Sequence, residues 1–200
     1  MFKVHDLSLP GGSILLFYPN FLSLKEGCDL LESLDSEGWK AQEIQIMGKK
    51  IPQPRLTCSW ANPGVSYTYS GLTIEPSPFP GYLDTLKVRI ESLPELQGAS
   101  FNYVLGNKYR DGKDSIGFHS DSEKELGPNP TIASLSLGGT RKFVLKHARD
   151  KSVTPVEIEL THGSLLIMAG TTQTNWVHGV PKTSKPVDTR VNLTFRKILV

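Results

Sequence analysis

Hydrophobic and polar residues alternate with a period of two in several stretches, the mark of strands with one face buried. The clearest is the closing stretch Arg190-Val191-Asn192-Leu193-Thr194-Phe195-Arg196, which puts four polar side chains on one face and three apolar ones on the other. Residues i and i+2 share a strand face, so Val191, Leu193 and Phe195 can bury while the polar set lines a cavity or meets water. From Phe101 to Tyr109 the same period places Phe101, Tyr103, Leu105, Asn107 and Tyr109 together, a face that turns polar along its length. Ser13 to Tyr18 is a short apolar strand. Ser23 with Glu26 three residues on is a capping-box pattern. It opens a core-packing helix with Leu24, Cys28, Leu31 and Leu34 at helical spacing, Cys28 being a buried, inert thiol, and Gly38 ending the segment. Trp39 to Met47 and Arg55 to Trp60 read as two strands joined by a Gly48-Lys49-Lys50 turn. Val65 to Tyr69 alternates, with Tyr67 and Tyr69 on one face. After Pro76, Pro78 and Pro80, the stripe Leu83, Leu86, Ile90 and Leu93 predicts a supporting helix over Tyr82 to Leu93. Ile132–Leu137, Lys142–Lys146, Val156–Leu160 and Leu165–Met168 are short strands, with Gly138-Gly139 read as a hairpin. Many short strands after two early helices predict a mainly β, α+β fold: a sandwich or jelly roll with helices on one side.

Composition narrows this picture. Two hundred residues, 38% hydrophobic and 21% charged, suit one soluble domain with a substantial core. A net charge of +2 does not announce a nucleic-acid binder, so any basic footprint must be local. Arg141, Lys142, Lys146, Arg149 and Lys151 form the densest basic cluster, either a solvated face or a surface for phosphates. Two cysteines make no disulfide framework, which points to a reduced, intracellular setting. The first residues lack a signal-peptide layout, and no apolar run is long enough for a membrane span.

The chemistry gathers in His119-Ser120-Asp121 and His178. On a strand His119 and Asp121 share a face, as two ligands of one metal must. Two histidines and a carboxylate are a complete facial set for a non-haem Fe(II), with positions left open for substrate and oxygen. Zinc hydrolysis is the chemical rival for such a set, but it leaves the arginine strand, Asn107 and Tyr109 without a role. Among the other histidines, His5 reads as superficial and His147 as a surface residue. His162, ahead of Gly163 at a turn, reads as a structural hydrogen-bond partner.

These features sit in ordered blocks: Pro54-Arg55-Leu56-Thr57, Tyr67-Thr68-Tyr69-Ser70-Gly71, Asn107-Lys108-Tyr109, His119-Ser120-Asp121, Ile132 to Ser136, His162 to Leu166, and Arg190 to Arg196. Over about residues 40–200 the chain resembles the AlkB-type Fe(II)/2-oxoglutarate dioxygenases, and among them the eukaryotic-type DNA repair demethylases. The resemblance implies a double-stranded β-helix with supporting N-terminal helices, as one domain over 1–200. About 1–75 would be an N-terminal extension and nucleotide-recognition lid, and about 100–200 the catalytic core.

It implies His119, Asp121 and His178 as ligands of Fe(2+), with molecular oxygen as co-reactant. Arg190 would grip the distal carboxylate of 2-oxoglutarate with Tyr109 and Asn192. Arg196 and Asn107 would hold the end that chelates iron, and Thr194 would line the site. The implied reaction is oxidative demethylation of N1-methyladenine and N3-methylcytosine in DNA, coupled to 2-oxoglutarate decarboxylation. RNA is the alternative substrate, and a non-catalytic nucleic-acid-binding jelly roll the alternative of another class. Implied substrate contacts are Met47, Gly48 and Lys49 at a hairpin finger, Tyr67, Thr68 and Tyr69 at the base pocket, and Ser122, which stands where the family often has a second acid. The expected protein is a monomer acting on alkylated DNA away from membranes, in the nucleus of a eukaryote or the cytoplasm of a prokaryotic or viral host.

Overall fold

The computed structural model describes residues 4–46, 49–69, 72–96 and 98–199, with side chains for all of these except 44–46, 49, 69, 72 and 73. In chain order the elements are β1 (His5–Asp6), β2 (Ser13–Tyr18), α1 (Leu24–Asp35), β3 (Lys40–Ile46), β4 (Lys49–Ala61), β5 (Thr68–Tyr69), β6 (Leu72–Thr73), β7 (Ser77–Pro78) and α2 (Gly81–Glu91). They continue with β8 (Tyr103–Tyr109), β9 (Ile116–His119), β10 (Ile132–Gly138), β11 (Arg141–His147), β12 (Val156–Leu160), β13 (Ser164–Gly170), α3 (Thr172–Asn175), β14 (Trp176–Val180) and β15 (Arg190–Arg196).

Among the described residues, a large sheet runs β1-β2-β13-β10-β15-β8-β4-β3, with β7 beside β4, and a smaller one runs β12-β11-β14-β9. Two largely antiparallel sheets, with α1 and α2 packed against one side of the large one, make the jelly-roll arrangement that the alternation predicts. Strands from the first 61 residues, β2 on one flank and β3–β4 on the other, extend the sheet that carries β15.

Burial follows the period-two pattern. Val191, Leu193 and Phe195 join Leu34 of α1 and Leu83, Leu86 and Ile90 of α2 in one apolar cluster behind the large sheet. A second cluster fills one end of the space between the sheets, combining Leu15, Ile132, Leu166 and Met168 with Phe143, Leu145, Ile158, Leu160 and Trp176. A third, with Val65, Tyr67, Tyr103, Leu105 and Leu126, closes the other end. The polar face of β15 lies between them, and there the chemistry sits.

Helix α1 begins with the expected capping box: the Glu26 amide donates to Ser23 Oγ, and the Ser23 amide donates to Glu26 Oε2 at 2.8 Å. Its buried stripe differs from expectation. Gly27 and Leu34 are buried, with Leu30 and Leu31 packed against the core, while Leu24 and Cys28 are exposed. The helix is rotated because Gly27 passes tightly under His162, whose ring atoms a side chain at 27 would strike.

Gly138-Gly139 is not a hairpin. Strand β10 pairs with β13 and β15, whereas β11 pairs with β12 and β14, so the glycines carry the chain from one sheet to the other. Gly138 has a φ of +79°, and a Cβ there would lie 2.3 Å from the Thr189 carbonyl oxygen. Only glycine fits such a pass. Lys49 and Lys50 are strand residues rather than turn residues, with Ile46 opposite Lys49 and Gln45 opposite Lys50. The apolar finger proposed at Met47-Gly48 lies outside the described residues.

The start of β11 supplies a clamp that the basic-cluster reading missed. Arg141 is 2% exposed, and its guanidinium donates to the carbonyls of Asp111, Asp114 and Pro181. Those carbonyls belong to the loop between β8 and β9 and to the chain leaving β14. A buried charged donor serving three carbonyl acceptors is costly to remove. Arg141→Met should lower unfolding stability by about 2 kcal/mol or more, measured by urea denaturation. An effect within about 0.5 kcal/mol, the surface-residue range, would show the clamp to be idle.

Candidate active site

Strands β14 and β9 are antiparallel neighbours with His178 directly opposite His119, their ring centroids 4.5 Å apart. A carbonyl can only accept, so the contact between His119 Nδ1 and Gly117 O at 2.9 Å fixes the proton on Nδ1. His119 Nε2 lies 3.7 Å from Asp121 Oδ1. Asp121 does not share a strand with His119, because β9 ends at His119. The Asp121 amide instead donates to the side chain of Gln173, and its Oδ2 accepts from Arg196 Nη2 at 3.0 Å. One ligand atom from each of His119, Asp121 and His178 lies within 4.8 Å of the others.

The large sheet faces this triad with a row of polar residues set by register. Ser136 lies opposite Asn192 and Ser134 opposite Thr194; across the other edge of β15, Tyr109 lies opposite Arg190 and Asn107 opposite Asn192. Arg190 Nη2 donates to Ser136 Oγ at 2.9 Å, and its guanidinium carbon stands 5.1 Å from the Tyr109 ring centroid. Asn192 donates to Ser134 Oγ, and Thr194 Oγ1 donates to Asn192 Oδ1. A cavity of about 420 Å³ lies between the row and the triad, in the size range of small-molecule sites.

Charge in this cavity is set by burial against proximity. Burial works to raise the Asp121 carboxyl, but the Arg196 guanidinium, then His178 and His119, outweigh it and hold it near about 2. Arg196 keeps its charge against burial because Asp121 adjoins it. Burial, with the nearby His119, pushes His178 down to about 3, so its imidazole is neutral and fit to be a metal ligand. Burial, with the nearby Arg141 cation, lowers Arg190, and Tyr109 works against them.

His119, Asp121, His178, Asn107, Tyr109, Arg190, Asn192, Thr194, Arg196 and Tyr67 all line this one cavity. Tyr67 packs edge-on against Tyr103, with ring centroids 5.2 Å apart. Thr68 and Ser122 are exposed and absent from the lining. Met47 and Gly48, and the side chains of Lys49 and Tyr69, lie outside the described residues. His162 takes the structural role expected of it, its Nδ1 accepting from the Gly138 amide at 2.9 Å. Sequence reading missed Arg55, which lines the cavity and donates from Nε to Asn107 Oδ1 at 2.7 Å. The signal was there: Gln53, Arg55, Thr57 and Ser59 repeat the polar period of β15 along β4, and all four are buried.

The cavity can be tested against the ions the triad implies. Buried polar atoms are nearly always satisfied, yet Nε and Nη1 of both Arg190 and Arg196 have no hydrogen-bond partner among the described residues. Two buried guanidiniums with free edges fit an anion bearing two carboxylates, placed beside a His-Asp-His set.

The depressed His178 pKa has a consequence for the metal-free protein. The unfolded chain takes up this proton near pH 6.5, the folded chain only near 3, so acid favours unfolding. Stability should fall as pH drops through about 6 to about 4, at up to about 1.4 kcal/mol per pH unit. Asp121, whose contribution is lost only between 3.8 and about 2, lies below that window. Urea denaturation of His178→Leu should show a flatter pH profile; an equal slope would overturn the assignment.

A family model described as the 2OG-Fe(II) oxygenase superfamily matches residues 14–196. The chain is 41% identical over 163 residues to mouse DNA oxidative demethylase ALKBH2, covering 78% of this chain and 67% of that protein. It is 44% identical over 210 residues to rat alpha-ketoglutarate-dependent dioxygenase alkB homolog 3, covering 98% of this chain and 68% of that one. It thus spans about two thirds of either relative's length. The solved structure of OsALKBH1 shares the fold, with a TM-score of 0.61 at 20% identity over 94% of this chain and 99% of that one. With its triad, its arginine row and these matches, the chain belongs to the AlkB family of the 2OG-Fe(II) oxygenases.

Proposed function

We propose that this protein reverses alkylation damage in DNA, oxidatively demethylating N1-methyladenine and N3-methylcytosine. The single observation that carries the reading is the pair of buried guanidiniums with unpartnered donors across a cavity from the His-Asp-His set. A hydrolytic zinc site has no use for them, whereas 2-oxoglutarate has two carboxylates to offer. Fe(2+), 2-oxoglutarate and O2 are the cofactor set of this family. When bound, they supply the oxidising power that hydroxylates an N-methyl group, with succinate, carbon dioxide and formaldehyde as products.

The chain's own residues hold and orient. His119, Asp121 and His178 bind the metal. Arg190, with Tyr109 and Asn192, holds the distal carboxylate of 2-oxoglutarate; Arg196 and Asn107 hold the chelating end, and Thr194 lines the pocket. Arg196 also fixes the Asp121 rotamer, so the same cation serves metal ligand and cosubstrate. Tyr67, buried beside Arg196 with ring and guanidinium carbon 5.7 Å apart, supplies an aromatic wall for a base. A methyl group on the pairing edge is reachable only when its base leaves the stack. On sequence grounds, Met47-Gly48-Lys49 are assigned to filling the space that an extruded base leaves and to meeting phosphate, and Thr68, Tyr69 and Ser122 to contacts with the base.

The names of the relatives, a DNA oxidative demethylase among them, support DNA over RNA. The reading divides the single domain into an N-terminal extension and recognition lid, about residues 1–75, and a catalytic core, about 100–200. It takes the protein as an intracellular monomer, nuclear in a eukaryote and cytoplasmic otherwise. Among the described residues no helix is long and apolar enough to cross a membrane.

Two measurements check this. Succinate formation should require iron, 2-oxoglutarate and methylated DNA, and should be lost in His119→Ala, Asp121→Ala and His178→Ala; turnover confined to methylated RNA would replace the DNA reading. Arg190→Lys replaces a planar fork by a point charge and should raise the 2-oxoglutarate requirement about tenfold, which is about 1.4 kcal/mol. An unchanged requirement in both Arg190→Lys and Arg196→Lys would sink the assigned cosubstrate pocket.

A further inference from the structure

Asp121 sits past the end of β9, where no strand ladder fixes its backbone. Its amide N–H donates instead to Gln173 Oε1 at 2.9 Å, a buried bond spanning 52 residues of sequence. Gln173 is 3% exposed, and its amide nitrogen donates to Met168 Sδ at 3.6 Å, so both ends of the side-chain amide are engaged. Met168 lines the active cavity from β13, and Gln173 lies in α3, the short link to the strand that carries His178.

That link is itself held. Thr172 Oγ1 shares its proton between the carbonyls of Ala169 at 2.6 Å and Ile14 at 3.0 Å, and Thr171 Oγ1 donates to the Gly11 carbonyl at 2.7 Å. At the far end the Ala148 amide donates to the Asn175 carbonyl at 2.7 Å. Gln173 therefore reaches Asp121 from a platform tied to β2, β13 and the loop after β11.

We infer that Gln173 is a positioning residue for the metal: it ties the second ligand, Asp121, to the chain reversal that delivers the third, His178. This rests on the assignment of His119, Asp121 and His178 as ligands. The physical reason is geometric. Arg196 fixes the carboxylate through Oδ2, but one bond leaves the main chain of a coil residue free to shift. A second anchor, on the amide, sets where the Cβ starts, and with it the distance of Oδ1 from the two imidazoles. Outer partners of metal ligands commonly set affinity by this route.

The test uses the full chain, first without metal. Amide hydrogen exchange on the metal-free wild type should find Asp121 protected about 100-fold or more, although it lies outside any strand. Exchange at the free-coil rate would overturn the inference without any variant being made. Gln173→Met, which keeps length and bulk but loses the acceptor, should then bind Mn(II) about tenfold more weakly by calorimetric titration, under conditions where circular dichroism shows it folded. Equal Mn(II) affinity in wild type and Gln173→Met would refute the positioning role while leaving the triad intact. No Mn(II) binding by the wild type would refute the triad, and the positioning role with it.

Discussion

The buried contact between Arg196 and Asp121 governs the rest of this site. Two opposite charges out of water gain little net stability, because desolvation offsets most of their attraction. What the pair secures is state and aim. Asp121 stays ionised in a place where burial alone would protonate it, and one of its oxygens is occupied so that the other faces the histidines. The cation is not used up, since two of its nitrogens keep free donors. The site is thereby biased toward a further anion, and the neutral His178 beside it keeps the local positive charge from growing.

Much of this was legible in the chain. A strict period of two in β15 is a strong signal, because one slipped residue would exchange its apolar and polar faces; the structure buries Val191, Leu193 and Phe195 behind the sheet and turns the arginines inward. His119 and Asp121 were found by a strand argument that the structure does not follow, since Asp121 is placed by tertiary bonds. The fold does bring these two residues beside His178, for a different local reason than the spacing suggests.

The misses share a cause: each depends on what lies opposite in space. Cys28 and Leu24 fit a helical stripe, but the actual face of α1 was decided by the close pass of Gly27 under His162. Gly138-Gly139 between two strands is locally a hairpin, and only the pairing of β10 with β13 and β15 makes it a crossover. Arg141 looked like one more surface cation because nothing in sequence marks three distant carbonyls as its partners. Arg55 carried a readable signal in the polar period of β4, but such a face is as often wet as buried until a second sheet is placed over it.

The crossover at Gly138-Gly139 bears on how the chain reaches this state. Because consecutive strands β10 and β11 go to different sheets, they cannot zip onto each other. His119 meets His178 across 59 residues of chain, and Arg196 meets Asp121 across 75. Contacts of such separation must close large loops before they contribute anything, which slows folding and leaves strand edges bare for longer. His119 and His178 meet within the small sheet, but Asp121 is held by Arg196 of the large one, so the full His-Asp-His set is assembled only once both sheets have formed. Iron would act as a late ligand of a finished fold, stabilising the native state by mass action rather than seeding it.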